Sequence, residues 1–153
     1  MSEDTLRATL YAFLEAHHAL SLAYVDAEGV GACAVWFVAD EQLNCFFLSS
    51  LDTRHGRALR EGGEVAFTVH RDRQNWQFIR GVQGRGWCAP MAESAEQQRA
   101  WQLYARKYPL VTQRSPVIEK ALAQAVMWCI RPRWLRLIDN LAGFGFKQEI
   151  ILE

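Results

Sequence analysis

Hydroxyl and cationic side chains are concentrated in one short stretch of the sequence, between residues 47 and 59. The stretch carries three hydroxyls followed by a guanidinium and an imidazole: Ser49, Ser50, Thr53, Arg54 and His55. The pattern predicts a strand that leads into a short helix, and the free N–H groups at a helix start favour an anion. Arginine adds a bidentate donor suited to phosphate. An ordinary helix cap with solvated Arg54 and His55 would use the same residue types, so two interpretations stand.

Length and charge narrow the possible partners. The chain has 153 residues, with 17 basic and 17 acidic side chains, so its formal net charge is zero. This balance gives no overall attraction for nucleic acid or for an anionic membrane, and any anion must therefore bind locally. Half of the residues are hydrophobic, which is typical of a globular protein. We expect a single domain over residues 1–153.

The cysteines do not follow a metal-binding pattern. Cys33, Cys45, Cys88 and Cys129 are widely spaced, and each lies within an apolar run. We therefore expect buried, reduced thiols and no metal site. The acidic start of the sequence does not resemble a signal peptide, and no apolar run approaches the ~18 residues of a membrane helix. These features predict a cytoplasmic protein that does not enter membranes.

The elements that would position the anion-binding residues are mainly β-strands. Alternating periodicity predicts strands at 19–25, 31–39, 43–49, 65–70, 78–89 and 126–138, and a further short strand within 144–152. Helical periodicity and capping residues predict helices over 3–17 and 94–107, with short helices after residues 53 and 115. This order predicts a mainly β (α+β) fold, a closed or partly closed antiparallel barrel with flanking helices.

Three of these strands carry unusual features. The strand at 31–39 is apolar on both faces, which predicts cover on both sides. Glycines 81, 84 and 86 within the strand at 78–89 predict a bulge or the close approach of another backbone or a ligand. Pro132 predicts that the strand at 126–138 lies at a sheet edge or bulges there.

The run from Phe47 to Leu59 resembles the flavin-phosphate segment of the pyridoxamine 5'-phosphate oxidase-like, FMN-binding split barrels. In that family an aromatic strand ends in a hydroxyl residue, a Ser-Arg-Lys triplet follows, and a leucine closes a short helix. Thr53, Arg54 and His55 fall on the triplet and Ser49 falls on the strand-end hydroxyl, with no gap. Size and element order are similar to those of the small bacterial YhbP-like branch. The resemblance implies a six-stranded antiparallel split β-barrel with flanking helices.

The resemblance also implies a cofactor and a site. The cofactor would be FMN, bound in the cleft of a homodimer, with Thr53, Arg54 and His55 at its phosphate. The resemblance places six further contacts at the flavin ring or its edge: Val35, Trp36 and Phe37 beside the isoalloxazine, Leu48 and Ser49 at its edge, and Gln83 at a ring carbonyl. Ser49 would also support the phosphate. For Trp36 and Phe37, packing in the core is the alternative interpretation.

Two departures from the family pattern restrict the function. His55 replaces the usual lysine, which predicts weaker and pH-dependent phosphate binding. The segment 131–139 lacks the histidine of the family's substrate signature, so we do not expect oxidation of vitamin B6. The prediction is an FMN-binding protein, a candidate flavin-dependent oxidoreductase of unknown substrate whose chemistry needs no separate catalytic residue. The alternatives are a non-catalytic flavin carrier or sensor, and a split barrel that has changed its ligand to haem or deazaflavin or has lost it.

Overall fold

A computed structural model describes every residue from Met1 to Glu153. Four α-helices lie along the chain: α1 Glu3–Glu15, α2 Arg54–Ala58, α3 Ala95–Lys107 and α4 Pro116–Gln124. Seven strands complete it: β1 Ala19–Asp26, β2 Gly29–Ala39, β3 Cys45–Ser50, β4 Gly63–His70, β5 Arg80–Pro90, β6 Ala125–Asp139 and β7 Lys147–Ile151. All helices and strands predicted from periodicity are present, with ends shifted by a few residues. No helix has the length and apolar character that a membrane span requires.

Six of the strands close into an antiparallel barrel. The sheet runs in the order β3-β2-β1-β4-β5-β6-β7, and an additional pairing joins β3 to β6. The first part of β6 pairs with β3, from Ala125 to Ile130, and its later part pairs with β7, from Trp134 to Ile138. The six-stranded split barrel with flanking helices is therefore confirmed. The short C-terminal strand β7 pairs with the part of β6 that lies beyond the barrel closure.

A β-bulge interrupts β6 at its proline. Arg85 of β5 pairs with Trp134 while the next residue, Gly86, pairs with Pro132, so Arg133 has no partner on β5. Proline cannot donate to the ladder, and the extra residue accommodates it within a strand that has neighbours on both sides. Gly86 also permits a close approach, because a Cβ there would overlap the carbonyl of Arg131. The predicted bulge is present, and Pro132 lies in the gap between the pairings of β6 with β3 and with β7, where β5 is its one paired neighbour.

The barrel interior holds the main core. Inward-facing aromatic residues fill its centre, and the rings of Phe47 and Trp128 stack with an interplanar angle of 3° and centroids 5.9 Å apart. Helix α1 contributes one apolar face to this core through Leu6, Leu10 and Leu14. A second, smaller core lies outside the barrel, where α3 packs its Ala100 and Tyr104 against β2, β3 and β6. Helix α3 therefore covers the outer side of the sheet where these three strands adjoin.

Within one chain, most of the outer face of β2 is not covered, although the sequence predicts cover on both sides. Its outer face is buried only near the end, where Val38 contacts the second core. Val30 is 77% exposed and Trp36 is 54% exposed. The difference arises because α3 lies over only the last residues of β2, which the sequence of β2 itself does not reveal. The outer side of β2 is therefore open surface beside the loop that leads to α2.

A group of exposed apolar side chains lies at one end of the barrel. Two short 3₁₀ turns, Trp76–Phe78 and Asn140–Ala142, are joined there by the Asn140 side chain, whose Nδ2 donates to the Trp76 carbonyl over 2.8 Å. The Trp76 and Phe144 rings pack edge to face at 5.9 Å. We call the exposed large apolar residues of these turns and their neighbours the apolar patch: Trp76, Phe78, Ile79, Leu141 and Phe144.

Candidate functional site

The loop between β3 and α2 is shaped by a threonine cap. The Thr53 hydroxyl accepts a hydrogen bond from the Gly56 N–H at 2.9 Å and donates to the Ser50 carbonyl at 3.0 Å. Gly56 is required at this point because a Cβ would overlap that same carbonyl. The cap leaves the N–H groups of Arg54 and His55 without an acceptor in the chain. Both are therefore donors that a bound anion could use.

His55 closes back onto the end of β3. Its Nε2 lies 2.6 Å from the Ser49 hydroxyl, and the imidazole is half-buried beside the ring of Tyr24, with centroids 6.3 Å apart. Burial lowers the pKa of His55, so its neutral form is favoured near pH 7. A neutral imidazole can accept a hydrogen bond from the Ser49 hydroxyl. Weaker and pH-dependent phosphate binding stays a prediction, and the lowered pKa of His55 moves the gain of its charge to lower pH.

Ser49 is held from its other side by the core. The indole Nε1 of Trp128 donates to the Ser49 carbonyl over 3.0 Å. Trp128 is fully buried, so the end of β3 is fixed by a residue that cannot move without disturbing the barrel interior. The hydroxyl of Ser49 is consequently presented to His55 from a rigid support.

Arg54 is partly neutralised by an acidic hairpin. Its Nε and Nη2 lie 2.8 Å and 3.2 Å from the two carboxylate oxygens of Asp26, at the end of β1. Glu28 adds a second carboxylate, 3.9 Å from Nη2. The Arg54 hydrogen bond lowers the pKa of Asp26, which stays ionised. Arg54 therefore lies at the start of α2, and its Nε and Nη2 atoms already contact the Asp26 carboxylate.

The aromatic residues expected at the flavin ring divide between the two faces of β2. The side chains of Val35 and Phe37 point into the barrel core, where Phe37 is fully buried. Trp36 points outward and stacks on Tyr108, with centroids 5.2 Å apart and an interplanar angle of 23°. For Phe37 the alternative of core packing is correct, and for Trp36 it is wrong.

Leu48 lies beside Trp36 on the outer face. Phe37 pairs with Phe47 across β2 and β3, so the next residues along the two antiparallel strands, Trp36 and Leu48, are neighbours on the opposite face. Leu48 is half-buried and directly precedes Ser49. An exposed apolar surface thus lies next to the loop donors.

Gln83 belongs to a different part of the surface. It lies on β5 between Thr68 and Arg136 in the ladder, and it lines a shallow hollow of about 570 Å³ on the outside of the sheet. Small residues of β1, β2 and β4 form the floor of this hollow, and Trp134 lies at its rim between the guanidiniums of Arg85 and Arg136. None of the residues from Ser49 to His55 lines it. Within one chain, Gln83 is therefore not brought to the loop.

Sequence reasoning missed three residues of the site, and all three act across long distances in the chain. Asp26 directly follows the strand predicted at 19–25, and nothing in its spacing indicates a contact with Arg54. Tyr24 and Trp128 likewise meet the loop only after the barrel closes. No group of three or more histidine, cysteine, aspartate or glutamate residues is arranged to hold a metal ion.

Comparison with known proteins agrees with this fold and loop. The family model of pyridoxamine 5'-phosphate oxidase matches residues 6–139, and the chain belongs to that family. It is 29% identical over 145 residues to a UPF0306 protein from Klebsiella pneumoniae, covering 94% of this chain and 91% of that protein. The family resemblance drawn from residues 47–59 is thereby confirmed.

Two solved structures share the architecture. A structure from Listeria innocua that is named for pyridoxamine 5'-phosphate oxidase superposes with a TM-score of 0.65 at 18% identity, over 86% of this chain and 97% of that one. HutZ from Vibrio cholerae, named as a heme storage protein, superposes with a TM-score of 0.60 at 16% identity, over 94% of this chain and 92% of that one. Identities this low show a common fold, which hosts proteins named for different ligands.

Proposed function

We propose that this protein binds FMN, with the phosphate at the loop before α2 and the flavin ring on the outer face of β2 and β3. The observation that carries the proposal is the junction at Ser49. On one side of it lie the free N–H groups and side chains of Arg54 and His55, and on the other lies the exposed apolar surface of Leu48 and Trp36. Family membership supports the same ligand.

The residues present fit the two ends of FMN. A phosphate needs several hydrogen-bond donors, and the loop offers two backbone N–H groups and the Nη1 of Arg54, for which the structure shows no partner. A flavin ring needs a flat apolar contact, for which the Trp36 indole, already stacked on Tyr108, is suited. In this arrangement Val35 and Phe37 would contribute only their backbone groups, because their side chains lie in the core.

The proposed activity is oxidation or reduction carried by the flavin. Bound FMN supplies hydride or electron transfer, while the protein positions the ring and tunes it by hydrogen bonds. Catalytic acid–base groups are therefore not needed at the site. A carrier or sensor without turnover would use the same contacts, and a measured turnover with a reduced nicotinamide separates the two functions.

The proposal includes a homodimer with the ligand at the interface. The side chains of Val35, Phe37 and Trp128 do not contribute to such an interface, because they are buried within one chain. Other apolar surface takes their place, namely Trp36 and the apolar patch. Gln83 is remote from the loop of its own chain. In a dimer, the Gln83 of one copy could contact the flavin ring bound at the loop of the other.

Haem is the second candidate ligand. The fold is shared with HutZ, and an exposed imidazole, His18, lies beside the Trp36 surface with ring centroids 6.3 Å apart. Histidine is a common axial ligand of haem iron. The propionate carboxylates of haem could also accept hydrogen bonds from the loop donors, so FMN is the first candidate because of family membership.

Titration of the purified protein with FMN, riboflavin and haem tests the proposal. Quenching of flavin fluorescence reports flavin binding, and the visible spectrum reports haem. The proposal requires FMN to bind more tightly than riboflavin. Equal affinities for the two flavins would contradict the proposed phosphate site. Haem binding without flavin binding would assign the surface to haem.

A further inference from the structure

We infer that Asp26 determines the specificity of the anion site, because it holds Arg54 in an ion pair that a ligand phosphate must share. The inference rests on the proposed function and adds a residue to it. By this account Asp26 lowers the affinity for a phosphorylated ligand relative to its uncharged counterpart. No feature of residues 47–59 alone indicates this role.

The geometry shows a carboxylate that is held in place. Both oxygens of Asp26 contact Arg54, at 2.8 Å and 3.2 Å, so the pair is bidentate. The same carboxylate accepts the Glu28 N–H at 2.8 Å, which ties it to the β1–β2 turn. The Asp26 side chain is only 18% exposed, against 45% for Arg54. Arg54 is thus the more solvent-accessible partner, and the Asp26 carboxylate is the more buried one.

The net charge around Arg54 affects how strongly the loop attracts a phosphate. Arg54 is the only cation in contact with Asp26 and Glu28, so these three groups together carry one negative charge. His55 adds no charge while its imidazole is neutral. The next two basic residues face elsewhere, since Arg57 donates to the Asp52 carbonyl and Arg60 lies 3.7 Å from the Asp52 carboxylate. A phosphate at the loop therefore meets one guanidinium and a nearby carboxylate of its own sign.

The pair still leaves part of the guanidinium available. Asp26 occupies Nε and Nη2, while the structure shows no partner for Nη1. A phosphate that approaches Nη1 and the two loop N–H groups would lie within a few ångströms of the Asp26 carboxylate, where like charges repel even in water. A neutral ligand such as riboflavin would not experience this repulsion.

Substitution by asparagine isolates the charge. Asp26→Asn keeps the size of the side chain and an oxygen that can accept the Glu28 N–H. We expect FMN to bind about five- to tenfold more tightly to this variant at low salt, with the gain decreasing as salt screens the charges. Riboflavin affinity stays unchanged. Asp26→Ser provides a second variant that removes the charge if the asparagine protein does not fold.

Glu28→Gln is the matched control, because it removes a carboxylate of the same turn that is 81% exposed and 3.9 Å from Arg54. Its gain in FMN affinity should be smaller than that of Asp26→Asn. The inference is overturned if Asp26→Asn binds FMN no more tightly than the parent, if riboflavin gains equally, or if Glu28→Gln gains as much. Absence of FMN binding in every variant overturns the proposed function and this inference with it, whereas FMN binding that Asp26→Asn does not strengthen overturns the inference alone.

Discussion

The Nε2 atom of His55 lies 2.6 Å from the Ser49 hydroxyl, so one hydrogen bond ties the first turn of α2 to the end of β3. The imidazole is half-buried, and burial lowers its pKa below the ordinary value near 6.5. At pH 7 the bond therefore joins the Ser49 hydroxyl to a neutral imidazole, whose Nε2 donates or accepts according to its tautomer. The residue that replaces the family's lysine makes a structural hydrogen bond in the free protein.

This relationship predicts a small and pH-independent role of His55 at neutral pH. His55→Ala should lower FMN affinity only about two- to fivefold between pH 7 and 8, since a neutral hydrogen bond contributes modestly. Because the folded-state pKa is lowered, the free imidazole gains its charge only below about pH 6.5, and its help to an anion appears there. Flavin fluorescence titrations at several pH values measure this. A tenfold loss at pH 8 would contradict it, and His55→Gln, which can keep the hydrogen bond, serves as the control.

Arg54→Ala should lower FMN affinity roughly tenfold, because it removes the one charged donor of the loop. Riboflavin has no phosphate, so its affinity should not change. Arg60→Ala is the matched control, since Arg60 is also exposed and paired with an aspartate but lies beyond α2. Equal losses of FMN and riboflavin affinity would indicate damage to the fold, and an equal effect of Arg60→Ala would indicate a general effect of charge.

Gly84→Ala tests the close packing between β5 and β4. A Cβ at Gly84 would overlap the ring of Phe67, which is buried in the barrel core. We expect the free energy of unfolding to fall by about 1–3 kcal/mol, as overpacking of a core does. Gly81→Ala on the same strand is the control, because its nearest neighbour, the Val69 carbonyl oxygen, would lie 3.3 Å away. Urea denaturation of the two variants measures the difference, and equal stabilities would show that Phe67 can move aside.

The sequence predicts the elements of this fold well because each strand and helix carries its own periodicity. The bulge at Pro132 follows from a local property, since proline lacks an N–H group. The arrangement of Thr53, Arg54 and His55 is also local, because these residues are consecutive and the threonine cap fixes the start of the helix.

Features that depend on distant residues are not predictable in this way. Whether the outer face of β2 is covered depends on where α3 lies, and the Trp36 indole is exposed because α3 lies over only the last residues of β2. The charge at Arg54 depends on Asp26, which lies 28 residues earlier. The sequence supplies the residue types for both contacts, whereas the barrel closure decides which of them meet.

Acid should destabilise the protein through three paired carboxylates. Contacts with arginine side chains, and for Glu149 also with the Trp134 indole, lower the pKa values of Asp26, Glu96 and Glu149. A lowered folded-state pKa adds stability above the unfolded value, near 4, and this stability is lost as the pH falls through the folded-state pKa. The free energy of unfolding, measured with urea at pH 7, 4 and 3, should therefore decrease below about pH 4. Glu96→Gln should reduce that decrease, and an unchanged pH profile would show that the Arg131 pair contributes nothing.

The apolar patch is expected to take part in the homodimer. Trp76 and Phe144 are 62% and 82% exposed, and large aromatic side chains grouped on a surface are typical of protein interfaces. We expect a dimer at micromolar concentration that buries more than ~1,200 Å² in total. Light scattering over a range of concentrations measures the molar mass directly.

Substitution of the patch tests where the two copies meet. Trp76→Ser and Phe144→Ser should each shift the equilibrium toward monomer by about tenfold or more in dissociation constant, because truncated aromatic anchors commonly cost that much at interfaces. The far-ultraviolet circular dichroism and the free energy of unfolding of the monomer should stay the same, since both side chains are exposed within one chain. Val117→Ser is the matched control, because Val117 is 77% exposed on α4 and lies outside the patch. A monomeric parent protein would contradict the dimer itself, while a dimer that weakens equally in all three variants would place the interface elsewhere on the barrel.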